Sequence, residues 1–168
     1  MHPRKPLRLN VGFIISNEAG YSHTIPIEEE KIKVSEDLTL YGFTGDVHIS
    51  RTPQGLLLTA DFETRLDVEC VRCLNTFEHT VHWDMIEMFA FHPKVDSEEL
   101  PLPEDAQIDL APLVRDYALT EVPINPVCKP DCKGLCPICG QDLNKKDCGH
   151  RPDENNSPFA SLKDLLKN

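Results

Sequence analysis

Aromatic residues are scarce. One Trp, three Tyr and seven Phe occur among 168 residues, 7% against a hydrophobic content of 40%. The core must therefore be built mainly from aliphatic side chains. No stretch approaches the ~20 consecutive apolar residues that a membrane helix needs, so no membrane association is expected. The N-terminus carries Arg4, Lys5 and Arg8 but lacks a long apolar run with a small-residue cleavage site, so a secretory signal is not expected. Positive charge is also in short supply. Seventeen Lys and Arg face 28 Asp and Glu, for a net charge of −11, the opposite sign to a chain whose main task is to grip phosphate backbones. The motifs of common catalysts are missing: there is no Gly-rich phosphate loop, no Gly-x-Ser-x-Gly and no His-Glu-x-x-His. His79, His82, Glu87 and His92 share one strand region, but such residues are more often simply exposed. A non-enzyme without a small-molecule substrate is expected. No internal repeat of roughly 20–50 residues is visible.

What the chain does have is cysteine, in a specific arrangement. Cys70 and Cys73 form a Cys-x-x-Cys step in the middle. Cys128, Cys132, Cys136, Cys139 and Cys148 fall within 21 residues near the C-terminus, and His150 follows Cys148 by two positions. Two cysteines separated by two residues in a tight turn can direct both sulfurs at one ion, which is why the step recurs in tetrahedral zinc sites. An odd cysteine count suits an oxidised secreted protein poorly, whereas close pairs in a reducing compartment suit a metal site, so a cytoplasmic location is expected.

The charge is unevenly distributed. Residues 96–121 carry eight acids against Arg115 alone, whereas residues 129–151 carry five basic residues and three acids. The acidic stretch is either a solvated surface or a landing face for a basic partner protein.

The pattern along the chain implies an α+β fold in a single domain of residues 1–168. An antiparallel β meander or partial barrel occupies 1–92. An acidic linker (93–106), a helix (107–122), a Cys-rich zinc-binding segment (126–151) and a C-terminal helix (157–168) follow. A strand is expected over 9–15, with short strands at 24–27 and 31–34 and a longer one over 38–52. Pro53-Gln54-Gly55 is a turn. Leu56, Leu58, Ala60, Phe62, Leu66 and Val68 then alternate with polar residues, the period-two signature of a strand with one buried and one wet face. Cys70 is in phase with the apolar row, and Thr64 is its one polar member. In the next strand, 77–91, the apolar phase changes after Met85, with Ile86, Met88 and Ala90 on the opposite side, which predicts a bulge near Asp84. Asp109 is expected to cap the following helix, with Pro112 in its first turn.

Two partitions of the eight candidate ligands are possible. In one, Cys136, Cys139, Cys148 and His150 form a site, and Cys70 and Cys73 join Cys128 and Cys132 in a second. In the other, Cys70, Cys73, Cys136 and Cys139 form a single two-knuckle ribbon. Two Zn²⁺ sites are favoured, and one is the alternative. Thiols crowded this closely would be prone to oxidation without a metal. Sites filled by four protein ligands are structural rather than catalytic. Arg72, Lys129, Lys133, Lys145 and Lys146 are placed to offset thiolate charge.

At these residues the chain resembles the YceD family. The resemblance is carried by Val68-Glu69-Cys70-Val71-Arg72-Cys73-Leu74 with Phe77, and by Pro126-Val127-Cys128 leading into Cys132-Lys133-Gly134-Leu135-Cys136-Pro137-Ile138-Cys139-Gly140, then Leu143-Asn144 and Cys148. It is closest over about 68–166. Relatives commonly end the cysteine run Cys-x-Cys where this chain has Cys148-Gly149-His150. The resemblance implies a part in large ribosomal subunit biogenesis and accumulation of the large ribosomal RNA. It further implies a partner among the basic ribosomal proteins or precursors of that subunit. The alternative, which the basic residues of 129–151 and Arg72 in the knuckle support, is a zinc-ribbon module that contacts ribosomal RNA directly.

Overall fold

The strict alternation of residues 56–68 produces the central strand of the protein. A computed structural model describes residues 6–93 and 98–151. In it β4 (Gly55–Glu69) buries every second residue almost without interruption. β3 (Thr39–Arg51) lies antiparallel on one side of β4, with Val47 opposite Ala60 and Ile49 opposite Leu58. β2 (Ser22–Lys33) pairs antiparallel with the far side of β3. β5 (Thr76–Ala90) is the next neighbour of β4, and the short β6 (Leu100–Pro101) adds a parallel pair at the other edge. The result is an open five-stranded sheet in the order β2-β3-β4-β5-β6. A separate two-stranded ribbon is made by β1 (Arg8–Asn10) and β7 (Gln107–Asp109). Among the described residues the helices are a single turn, α1 (Gly12–Ile15), and α2 (Ala111–Thr120). This mostly antiparallel sheet with few helices is the α+β architecture expected. Among the described residues, no helix is long and apolar enough to cross a membrane.

Thr64 has a structural reason to be polar. The register between β3 and β4 shifts between Tyr41 and Thr44, so β3 bulges opposite Thr64. The Thr64 hydroxyl, 1% exposed, donates to the Tyr41 carbonyl at 3.2 Å and satisfies a group that the bulge would otherwise orphan. Gly45 is required nearby. A Cβ there would lie 2.1 Å from the Asp61 carbonyl oxygen, because the strands approach closely at this point.

The core is mainly aliphatic, with one aromatic cluster. Phe43 and Phe62 have ring centroids 4.9 Å apart, and Trp83 is 5.6 Å from Phe62. Leu40, Ile49, Leu56, Leu58, Ile108 and Leu110 are fully buried around it.

Several expectations change. Residues 9–15 do not form one strand, because β1 ends at Asn10 and α1 begins at Gly12. The side chain of Asn10 accepts the Gly12 amide hydrogen at 3.0 Å and turns the chain into the helical turn. The two short strands expected at 24–27 and 31–34 are parts of one strand, β2. In β5 Val81, Trp83, Met85 and Phe89 are buried on one phase; of the residues on the other phase, Ile86 is 67% exposed and Ala90 is buried. The helix expected over 107–122 begins at Ala111, since 107–109 pair with β1 as β7. Asp109 accepts the Ala111 amide hydrogen at 3.0 Å, although Leu110 holds the cap position. The expected C-terminal helix at 157–168 lies outside the described residues.

The chain separates into two compact units. The first comprises residues 1–68 and 76–126, and the second residues 69–75 and 127–168. All eight candidate ligands fall in the second unit.

Candidate metal centre

Each Cys-x-x-Cys step folds into the same turn. In the first, the Leu74 amide donates to the Cys70 carbonyl at 2.9 Å, and the Cys70 amide donates to the Asn75 carbonyl at 3.0 Å. In the second, the Gly140 amide donates to the Cys136 carbonyl at 2.9 Å, and the Cys136 amide donates to the Gln141 carbonyl at 2.8 Å. The fifth residue of each turn takes a left-handed conformation, φ +57° at Leu74 and +71° at Gly140. Such a turn brings both cysteine side chains to one side, with backbone amides facing the sulfurs.

Backbone contacts hold the two turns in one unit. The Leu135 amide donates to the Arg72 carbonyl at 2.9 Å. Gly134, at φ +74°, allows this approach, because a Cβ there would meet the Arg72 carbonyl oxygen at 2.9 Å. The Arg72 guanidinium donates to the Cys132 carbonyl at 3.2 Å.

The structure gathers the eight residues into two sets of four, with the membership of the first partition and not of the single ribbon. Cys70, Cys73, Cys128 and Cys132 form one set, and Cys136, Cys139, Cys148 and His150 the other. The donor atoms of each set all lie within 4.8 Å of one another. The cysteines are free thiols. Within the first set, Cys70 Sγ is 3.9 Å from Cys132 Sγ, and Cys73 Sγ is 3.7 Å from Cys128 Sγ. Four thiolates at the Zn–S distance of about 2.3 Å around a tetrahedral ion would stand about 3.8 Å apart. In the second set, Cys136 Sγ is 3.8 Å from Nδ1 of His150. Donor type, number and spacing therefore fit a tetrahedral ion in both sets.

The electrostatics are those of crowded thiols. Burial tends to raise Cys70, but the amides of Cys128, Cys73 and Arg72 outweigh it and bring the thiol down to about 6. The Cys139 and Ile138 amides bring Cys136 down to about 6 as well. Burial and the neighbouring Cys73 push Cys128 up to about 12. Cys73 is also raised: the Asn75 amide pulls it down, but burial and the Cys70 and Cys132 thiols prevail. Each set thus contains one readily ionised sulfur, while Cys73 and Cys128 in the first set and Cys148 in the second are held above the usual thiol value. A divalent cation removes that conflict, because it stabilises all the thiolates at once.

Side chains outside the two sets orient the sulfurs. The Asn75 amide group donates to Cys73 Sγ at 3.4 Å and to Asp142 at 2.9 Å. The Asn144 amide group donates to Cys132 Sγ at 3.4 Å and to Asp142 at 2.9 Å. Asp142 thus ties together two donors to the first set, and the bond from Asn75 holds its carboxyl below the usual carboxylate range. Next to the second set, Asp147 accepts from Arg151 at 2.9 Å and from the Gly149 amide at 2.8 Å. Asn75 and Asp142 escaped the sequence reading. Their only signal is that of Asx residues beside cysteine turns, and hydrogen bonding in such turns usually serves the backbone. The basic residues expected to offset thiolate charge are partly engaged elsewhere: Lys129 lies 3.9 Å from Asp131, and Lys145 lies 3.7 Å from Asp142.

Comparison with known proteins points to the same region. A family model described as "Large ribosomal RNA subunit accumulation protein YceD" matches residues 58–166. Uncharacterized proteins of Mycobacterium bovis and Mycobacterium tuberculosis are 32% identical over 126 residues, which covers 72% of this chain and 60% of each relative. The chain therefore spans about three fifths of the length of these relatives. A chloroplastic protein of Arabidopsis thaliana named "Large ribosomal RNA subunit accumulation protein YCED homolog 1" is 35% identical over 68 residues, 39% of this chain and 21% of the relative. No solved structure matches the chain.

Proposed function

The chain belongs to the YceD family, and from that premise we propose that it is a non-enzymatic, zinc-binding factor in biogenesis of the large ribosomal subunit. The observation that carries the reading is the pair of four-donor sets inside the family-matched region. Cys70, Cys73, Cys128 and Cys132 would hold one Zn²⁺, and Cys136, Cys139, Cys148 and His150 the other. Four protein ligands leave no position open for substrate, which favours a structural over a catalytic ion. Bound zinc would supply folding energy to the second unit, on the order of 10 kcal/mol in small zinc peptides. The close, unpaired cysteines suit a reducing compartment, and we place the protein in the cytoplasm.

The partner we propose is a basic ribosomal protein or a precursor particle of the large subunit. The net charge of −11 supports a protein partner of opposite sign over a phosphate backbone. Affinity purification tests this reading together with subunit profiles of a deletion strain. Co-purification of large-subunit components and a deficit of large subunits are expected. Retrieval of no such component, with normal subunit levels, would overturn it.

One observation supports a second reading, direct contact with ribosomal RNA. In the second unit, Arg72, Lys133 and Lys146 accompany the exposed Val71, Leu74 and Ile138. Steeply salt-dependent RNA binding would favour it.

A further inference from the structure

β2 is the edge strand of the five-stranded sheet, hydrogen-bonded only to β3. None of its residues makes another backbone bond among those described. Among the described residues, its outer edge therefore presents a row of unpaired amides and carbonyls. Pro26 withholds one donor, so the continuous stretch runs from Ile27 to Lys33. An edge this long is normally blunted or covered.

Here it is flanked by space. Two cavities of about 420 and 350 Å³ line the edge, and both reach the chain at Pro6, where it enters β1. One is walled by Leu7, Ile32 and Val34, the other by Leu9, Ile25 and Ile27. Glu29 lines both. It is half-buried, and its carboxylate has no ion-pair or hydrogen-bond partner among the described residues. Two nearby cations are engaged elsewhere: Arg8 pairs with Asp105 at 2.8 Å, and Lys31 lies over the Tyr41 ring, 5.4 Å from its centroid, while Lys33 lines the first cavity with Glu29. Glu28 and Glu30 flank Glu29 on the same strand.

We propose that this groove is a strand-addition site for an extended segment of another protein bearing alternate apolar and basic side chains. The segment's backbone pairs with β2 from Ile27 to Lys33, its apolar side chains enter the two cavities, and a Lys or Arg reaches Glu29. Charge selects the occupant. A second copy of this chain, adding its own β2, would bring Glu28–Glu30 against the same acidic run, and like charges across strands are unfavourable. The first unit as a whole holds 21 of the 28 acids and 9 of the 17 basic residues, which favours a cationic partner over any distance.

The test uses the full chain, isotope-labelled, with a short synthetic peptide of alternating Lys and Val as probe. A second probe is the same peptide N-methylated on alternate backbone amides. The expected result is slowed exchange at alternate amides between Ile27 and Lys33 with the first peptide, and loss of binding with the second. Glu29→Lys should weaken the first peptide by about tenfold or more, and Glu29→Gln by less. The N-methylated probe leaves the protein unaltered, so the test does not depend on the variants folding. Four results would overturn the site: no binding; equal binding of both peptides; protection mapping to the wet face around His48 and Asp61; or a homodimer in sedimentation that competes with the peptide. Because the probe is synthetic, failure here would concern the groove alone, while the ribosomal reading stands or falls on subunit levels.

Discussion

Leu74 and Gly140 hold equivalent places in the two cysteine turns, yet only one of them is glycine. A left-handed conformation costs a non-glycine residue roughly 1–2 kcal/mol, and Leu74 adopts it with its side chain 55% exposed. Leu74→Gly should therefore stabilise the second unit by about 1 kcal/mol, less the added entropy of the unfolded chain, which thermal unfolding of the metal-loaded protein would measure. Asn75 and Asn144 act through the sulfurs they donate to. Replacing either with Ala should lower metal affinity by about 10- to 100-fold at the first set and leave the second unchanged, as competition with a chromophoric chelator would show. Asp37 contributes to the pH dependence of stability. The Ser35 hydroxyl and Arg115 hold its carboxyl below its usual value of 3.8. Its contribution is thus present above that value and is lost as pH falls through the lower folded value. Asp37→Asn should flatten the loss of thermal stability on acidification below about pH 4 and change little at neutral pH beyond removing one exposed ion pair. At this scale the two cysteine turns were legible, because cysteine spacing reports turn geometry directly. Asn75 and Asp142 were not, since their role depends on an approach between segments 67 residues apart.

Among the elements, β4 was the most readable, because its alternation is long and each apolar residue meets the core. Phe62→Ala should cost about 3–5 kcal/mol, since Phe62 packs against both Phe43 and Trp83; chemical denaturation of the first unit would give the value. β7 was the least readable. Gln107-Ile108-Asp109 leads into a helical pattern, and its strand conformation comes from β1, where Leu9 stands opposite Ile108. Pairing over so long a sequence separation leaves no local trace. The β3 bulge was hidden in the same way: Thr64 looked like an error in the apolar row, and its partner, the Tyr41 carbonyl, lies on another strand. Ile86 misled in the opposite sense, since an exposed apolar residue imitates a change of phase.

Across the whole molecule, structure and charge divide together. The first unit has a buried apolar core of its own, whereas the second contains all eight candidate ligands and, among the described residues, little else that could stabilise it. Small units of that kind depend on their metal. Chelation should therefore unfold residues 69–75 and 127–151, with their amides losing protection from hydrogen exchange, while β2–β5 retain theirs. The family match, residues 58–166, spans the same cysteines. The most direct test of the account is the metal content of the purified chain, measured with Cys70→Ser/Cys73→Ser and Cys136→Ser/Cys139→Ser variants alongside. Two zinc ions per chain, falling to one in each double variant, are predicted. A single ion abolished by both variants would contradict the two-set assignment, and a fully folded second unit containing no metal would contradict the account as a whole.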